Sequence, residues 1–135
     1  MRFAAGVLLC LALLAGAAAQ KPAAGPKYDL ATESKFKGVI DDIKEVPNSC
    51  LGDTCVHIFV KTGNGVVEVQ VAPPEFLKFM EITFTKGDEV QVVGSKISAN
   101  GNPLVLARLI TRNNNDMSVR DDKGNPAWTW MKKGQ

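Results

Sequence analysis

The stretch Gly65–Ser95, GVVEVQVAPPEFLKFMEITFTKGDEVQVVGS, decides the fold. Its alternating valines predict a strand over Val66–Val71, because successive side chains of a strand point to opposite faces. Ala72–Glu75 predicts the start of a short helix, since proline fits the first helical turn and an acidic residue faces the positive end of the helix dipole. Lys86–Asp88 predicts a turn into a second strand over Glu89–Lys96.

Four further segments predict strands on either side of this stretch. Glu33–Val46 fits a helical and a strand period, and Gly38 with several β-branched residues favours the strand. Cys55–Lys61 alternates cleanly between its two faces. Leu104–Arg112 predicts the fifth strand, and Met117–Arg120 predicts a short strand after it.

The order of these elements predicts an all-β fold, a small five-stranded OB-type barrel with a short helix between strands 3 and 4. A small β-sandwich is the main alternative, and the Pro73-Pro74 helix at this position favours the barrel. We expect the OB-like β-barrel domain to cover residues 33–130. A flexible N-terminal segment over residues 20–32 precedes it, and a polar tail over residues 131–135 follows it.

Residues 1–19 predict a signal peptide. Met1-Arg2 supplies the positive start, Phe3–Leu14 is apolar, and Ala17-x-Ala19 fits a cleavage site. The apolar run is shorter than the roughly 20 residues that a membrane-spanning helix needs. We therefore expect a periplasmic or secreted protein with no membrane span after signal removal, and an uncleaved anchor is the alternative.

Charge and residue content argue against two classes of function. The chain has 16 basic and 14 acidic residues and a formal net charge of +2, so nucleic acid is an unlikely partner. His57 is the only histidine, and its strand neighbours include no nucleophile. We expect no enzyme activity, no catalytic residues, no metal and no cofactor.

Cys50 and Cys55 are the two cysteines that follow the predicted signal peptide. An even pair this close in an exported chain predicts a disulfide. The spacing is neither the C-x-x-C of thioredoxin-like redox sites nor the C-x-x-C-H of haem attachment, and zinc bound with His57 would lack a fourth ligand.

The second and third strands supply the candidate binding face, because OB-type barrels bind ligands there. An exposed Phe59 beside His57 would stack on a sugar, a base or a peptide side chain. The alternative is that Phe59 packs under the N-terminal segment or against Tyr28. The candidate ligand-binding residues are His57, Phe59, Lys61, Glu68 and Gln70.

Two structural roles are also expected near the C-terminus. Arg108 lies in an otherwise apolar strand, and a buried arginine needs a partner, so we predict a structural ion pair with Asp121 or Asp122. Trp128 and Trp130 are expected to cap one end of the barrel, with an exposed aromatic platform as the alternative.

Four pieces of sequence resemble one known family. They are Ala72–Leu77, Gly87–Ser95, Ala107–Ile110 and Val119–Trp128. Together they are similar to the bacterial OB-like domain of the magnetosome proteins MamS and MamX, over about Phe36 to Trp128. The resemblance implies an exported OB-like domain. The family's haem-bearing members use C-x-x-C-H, which this chain lacks, so electron transfer is not implied.

These observations lead to a hypothesis for function. The chain is expected to be an exported, non-enzymatic OB-fold module that binds a protein partner or a small ligand in the cell envelope. An accessory protein of a metal or redox system is the first alternative, suggested by the resemblance and the cysteine pair. An oligonucleotide-binding barrel is the second.

Overall fold

A computed structural model describes residues 27–50 and 53–129. The predicted signal peptide, most of the flexible segment, Trp130 and the polar tail lie outside the described residues. Within the part that is described, no helix combines the length and the apolar character needed to cross a membrane.

The structure is all-β with one short helix, as the sequence predicts, and its six strands include the predicted short strand after the fifth. The helix, α1, lies between the third and fourth strands, and a 3-10 turn at Leu30–Thr32 precedes the first. The short last strand lies two residues earlier than predicted. The elements are β1 Glu33–Cys50, β2 Asp53–Thr62, β3 Gly65–Ala72, α1 Pro74–Phe79, β4 Glu89–Ala99, β5 Asn102–Arg112 and β6 Asn115–Ser118.

The strands form one sheet in the order β3-β2-β1-β4-β5-β6, and neighbours in this order are antiparallel. A short parallel pairing also joins β3 to β5, with Val69 opposite Val105 and Gln70 opposite Leu106. The pairings therefore run in a closed circuit from β1 through β2, β3, β5 and β4 back to β1.

The long strand β1 takes part in two ladders. Its first part, Glu33–Val39, pairs with β4, and its later part pairs with β2. Register shifts interrupt the second ladder between Ile40 and Asp42 and between Val46 and Cys50. Such irregularities bend a strand and increase its twist, which lets β1 serve both neighbours.

Two glycines allow strands to approach closely. A Cβ atom built on Gly38 would collide with the carbonyl oxygen of Lys61, and one built on Gly94 would lie 2.5 Å from the carbonyl oxygen of Leu106. Both obstacles are backbone atoms, which cannot rotate away. The absence of a side chain at these positions is therefore a requirement of the closed circuit.

Helix α1 covers the core with one side only. Phe76 and Leu77 are buried, and Phe76 lies 6.1 Å from the ring of Trp128, which is itself 1% exposed. Trp128 is therefore buried and does not form an exposed aromatic platform. Phe79 and Met80, at the end of the helix, are 62% and 45% exposed. A helix of six residues has too few turns to bury all four side chains.

Gly94→Ala should destabilise the protein by about 1–3 kcal/mol, because the new methyl group would push β4 away from β5. Urea denaturation of the variant measures this. Gly63→Ala is the matched control, since a Cβ at Gly63 would meet nothing within 4 Å. Equal loss of stability in both variants would show that the β4–β5 approach is not the cause.

Candidate functional site

The predicted disulfide between Cys50 and Cys55 is present, with a Cα–Cα distance of 5.9 Å. Both cysteines are buried. Ser49 reinforces the same connection, because its hydroxyl donates to the Val46 carbonyl at 2.7 Å and accepts from the Cys55 amide at 3.2 Å. The β1–β2 connection is therefore held by a covalent bond and a local hydrogen-bond network.

His57 and Glu68 lie together, as two of the candidate binding residues should. On the β2–β3 ladder His57 is opposite Gln70 and Glu68 is opposite Phe59, so His57 and Glu68 are diagonal neighbours. His57 Nδ1 lies 2.7 Å from Glu68 Oε2. The carboxylate oxygen accepts the hydrogen bond from Nδ1–H, and in the neutral imidazole Nε2 is then a hydrogen-bond acceptor.

The expectation that the whole face is exposed is wrong for His57 and Gln70. They are 3% and 1% exposed. The alternation of the strands correctly places His57 and Gln70 on the face opposite the valines. It does not show which residues cover that face. The carbonyl of Ser49, near the end of β1, accepts a hydrogen bond from Gln70 Nε2 at 2.5 Å and so covers one end of the face.

A cavity of about 270 Å³ lies beside His57, and we call it the His57 cleft. Val46–Ser49 from the end of β1 and residues around the β4–β5 turn line it together with Glu68. The β1–β2 ladder is interrupted between Val46 and Cys50, and the residues at this interruption form one wall of the cavity. His57 Nε2 is buried and has no hydrogen-bond partner in the described protein.

Asparagines shape both turns at the His57 cleft. Asn48 and Asn100 adopt positive φ values of 54° and 53°. Asparagine tolerates this left-handed conformation better than most residues, so each turn can reverse tightly at the edge of the cleft. Both asparagines line the cleft together with His57.

Phe59 lines a second cavity, of about 520 Å³, which we call the Phe59 groove. Glu68, Asn102, Pro103 and Leu104 line both it and the His57 cleft, so the two are adjacent. Other residues of the groove are Val66, Lys96 and Ile97.

The surroundings of Phe59 on the described chain include Lys44 and exclude Tyr28. Phe59 is half-buried, and Lys44 Nζ lies 5.3 Å from its ring centroid. Tyr28 does not pack on it but lies beside Gly124 and Arg120. Lys61 is exposed near the far end of β2 and lines neither cavity.

Gln70 contacts the buried side chain of Arg120. Its Oε1 accepts from Arg120 Nη2 at 3.0 Å, and Arg120 Nη1 also donates to the Ala107 carbonyl at 2.5 Å. Arg120 is 4% exposed and is the buried arginine of the described chain. The sequence carries only a weak signal for this, namely an arginine that directly follows an apolar residue and precedes a tryptophan by eight positions.

The predicted ion pair of Arg108 is present with a different main partner. Arg108 Nε and Nη2 donate to the Glu33 carboxylate at 3.0 and 2.9 Å. Asp122 is fully exposed, with its Oδ1 3.7 Å from Arg108 Nη1, so it adds little. Asp121 as a partner is wrong, because its carboxylate accepts from the backbone amides of Lys123 and Asn125 within its own turn.

Glu33 reaches Arg108 because of strand register. Glu33 is opposite Ser95 on β4, and Ser95 is opposite Leu106 on β5, close to Arg108. The hydrogen bonds from Arg108, and then that from the Tyr28 hydroxyl at 2.6 Å, lower the pKa of Glu33. Burial, followed by the bond to Glu33, raises the pKa of Tyr28 to about 12.

The geometry defines a class of protein: a small all-β domain with one short helix and a cleft between two turns at one end of its sheet. Comparison with known families is more specific. The profile of the MamS/MamX magnetosome protein family matches residues 32–117, and the chain belongs to this family. No curated protein matches the chain.

One similar solved structure is described as "Structure and Conformational Change of a Replication Protein A Heterotrimer Bound to ssDNA". It is 19% identical, with a TM-score of 0.42, over 77% of this chain and 74% of that chain.

Glu33→Gln should remove stability at neutral pH and leave stability unchanged in strong acid. The folded-state pKa of Glu33 lies below its ordinary value, so its contribution is present above the unfolded pKa and disappears as the pH falls through the folded value. We expect a loss of about 1 kcal/mol at pH 7 that fades as the pH falls below the ordinary pKa of glutamate, about 4.3.

Thermal denaturation across this pH range measures the effect. Glu45→Gln, at an exposed position on the same strand, is the control and should follow the unmodified protein. A constant difference between Glu33→Gln and the unmodified protein at every pH would contradict the ion-pair explanation.

Proposed function

We propose that the closed circuit of strands is an OB-type barrel and that the protein is an exported, non-enzymatic module that binds a protein partner or a small ligand in the cell envelope. The strand pairings support the barrel, because β1 joins both β2 and β4 while β3 meets β5. The position of α1 between β3 and β4 also agrees with an OB-type barrel.

The His57 cleft is the observation that carries this proposal. OB-type barrels bind ligands on strands 2 and 3 and between the loops that join strands 1 to 2 and strands 4 to 5. The His57 cleft lies between the end of β1, just before the first of these loops, and the β4–β5 turn, with residues of β2 and β3 in its lining. A buried Nε2 atom without a partner is a rare feature that a bound donor would satisfy.

The two cavities together favour a ligand with two different ends. The His57 cleft offers acceptors at His57 Nε2 and at the Glu68 carboxylate, and asparagines also line it. The Phe59 groove offers an aromatic ring and aliphatic side chains. A hydrogen-bond donor group would occupy the cleft, and an adjoining apolar group would occupy the groove.

The envelope location is supported by two observations. Disulfides form and persist in oxidising compartments, and Cys50 and Cys55 are bonded. Membership in the MamS/MamX family agrees with a non-cytoplasmic role. The predicted signal peptide adds a third, sequence-based argument.

The alternative role in a metal system is favoured by one contact. Histidines that bind metals usually donate their other ring nitrogen to a carboxylate, as His57 does to Glu68. In residues 27–50 and 53–129, however, no three histidine, cysteine, aspartate or glutamate residues form a group suited to a metal ion. The binding-module proposal uses the same histidine and requires no further ligands.

His57→Asn tests the cleft with little disturbance of the fold. The asparagine amide can take the place of Nδ1 and keep the hydrogen bond to Glu68, while Nε2 is removed. The disulfide-bonded protein is immobilised and exposed to an extract of its native envelope, and the retained components are identified by mass spectrometry. We expect the component retained by the unmodified protein to be reduced at least tenfold by His57→Asn and by Phe59→Ala.

Lys61→Ala is the matched control, because Lys61 lies on β2 but lines neither cavity. It should retain the same component as the unmodified protein. If neither His57→Asn nor Phe59→Ala reduces retention, the proposal is refuted. It is also refuted if no component is retained above a blank support.

A further inference from the structure

Among the described residues, Arg120 is a buried cation with no anionic partner. Its side chain contacts two neutral acceptors and lies near two rings, with its guanidinium carbon 5.1 Å from the Trp128 ring and 5.8 Å from the Tyr28 ring. Within the described residues no carboxylate forms an ion pair with it. Buried charges are normally paired because desolvation opposes the charged form, and burial lowers the pKa of Arg120 to about 10.

A buried hydrogen-bond donor without an acceptor lies nearby. Trp128 Nε1 is buried and has no hydrogen-bond partner in the described protein. The indole N–H of a buried tryptophan usually finds an acceptor. The guanidinium of Arg120 lacks a counter-ion, and the indole N–H of Trp128 lacks an acceptor. The two side chains contact each other, so one anion with oxygen atoms could satisfy both groups.

Arg120 and Trp128 line a cavity of about 270 Å³, which we call the Arg120 cavity. Its walls also include Tyr28, Gln70 and Cys50, which is one end of the disulfide. Lys27 and Lys123 line it from exposed positions, so it has three cationic side chains in its lining and no carboxylate. It shares no lining residue with the His57 cleft.

The walls of this cavity are held in place by local structure. Asp121 fixes the turn beneath it through bonds from two backbone amides and from the Asn125 side chain. Gly124 in this turn has a φ of 89°, and a Cβ atom there would collide with the Tyr28 ring. The Tyr28 ring therefore packs against Gly124, in a turn that Asp121 holds by hydrogen bonds.

We propose that the Arg120 cavity is a binding site for a small organic anion. The carboxylate or phosphate group of the ligand contacts Arg120 and accepts from Trp128 Nε1, and its apolar part lies against the Tyr28 and Trp128 rings. Lys27 and Lys123 add attraction at the entrance. The site is independent of the His57 cleft and does not rest on the function proposed for that cleft.

The charge of the ligand is tested with probes of the same shape. Benzoate and phenyl phosphate carry the two anionic groups, and benzyl alcohol is the neutral counterpart. Isothermal titration of the disulfide-bonded protein at pH 7 and constant ionic strength should show saturable one-to-one binding of at least one anion, at least tenfold tighter than that of benzyl alcohol. The comparison of the two anions identifies which group the site prefers.

Two sets of variants locate the binding. Trp128→Phe keeps a ring against Phe76 and removes only the indole donor, and it should weaken anion binding about five- to tenfold. The double variant Lys27→Gln/Lys123→Gln should weaken it to a similar degree, without touching the core. Lys35→Gln/Lys78→Gln removes the same charge at exposed positions outside the cavity and should bind like the unmodified protein.

The opposite results would overturn the proposal. If Arg120 serves only to hold strands together, neither anion will bind more tightly than benzyl alcohol. Equal anion affinity in the unmodified protein, Trp128→Phe and the Lys27/Lys123 variant would place binding elsewhere. Far-ultraviolet circular dichroism of each variant confirms the fold, and a bound anion should raise the melting temperature of the unmodified protein by mass action.

Discussion

The rest of the structure depends on how Arg120 holds β3 and β5 together. These strands meet through only two residue pairs, a short contact on which the closed circuit of strands relies. Arg120 donates one hydrogen bond to the Gln70 side chain on β3 and one to the Ala107 carbonyl on β5. It therefore bridges both sides of the closing contact. A buried network of this kind is costly to break, because each remaining polar group is left without water or partner.

Both ends of the described chain converge on this bridge. Tyr28, which precedes β1, and Trp128, which follows β6, lie near the guanidinium on different sides. Trp128 also packs on Phe76 of α1, so the helix and the terminal segments meet at the same place. The hydroxyl of Tyr28 then continues through Glu33 to Arg108, which ties the start of β1 to β5. Arg120 therefore contacts both the strands that close the sheet and the segments at the two ends of the described chain.

Features encoded by neighbouring residues were predictable from the sequence. Alternation placed Val56, Ile58 and Val60 in the core, the proline pair located α1, and the spacing of the cysteines identified the disulfide. Features that depend on register between distant segments were not. His57 is buried because two turns cover it, and Arg108 meets Glu33 rather than Asp121 because β1 pairs with β4. The buried contacts of Arg120 were not predictable for the same reason, since its acceptors lie on strands far back in the chain.

The double pairing of β1 has a consequence for the order in which the molecule folds. The second half of β1 can pair at once with β2, its neighbour in sequence, and the disulfide closes the turn between them. The first half must wait for β4, and Glu33 finds Ser95 only after most of the domain has been made. The β3–β5 contact and the Arg120 bridge also join residues that are far apart in sequence. Such non-local contacts slow folding, because loop entropy is lost before they form. We therefore expect the hairpins to form before the contacts that close the sheet.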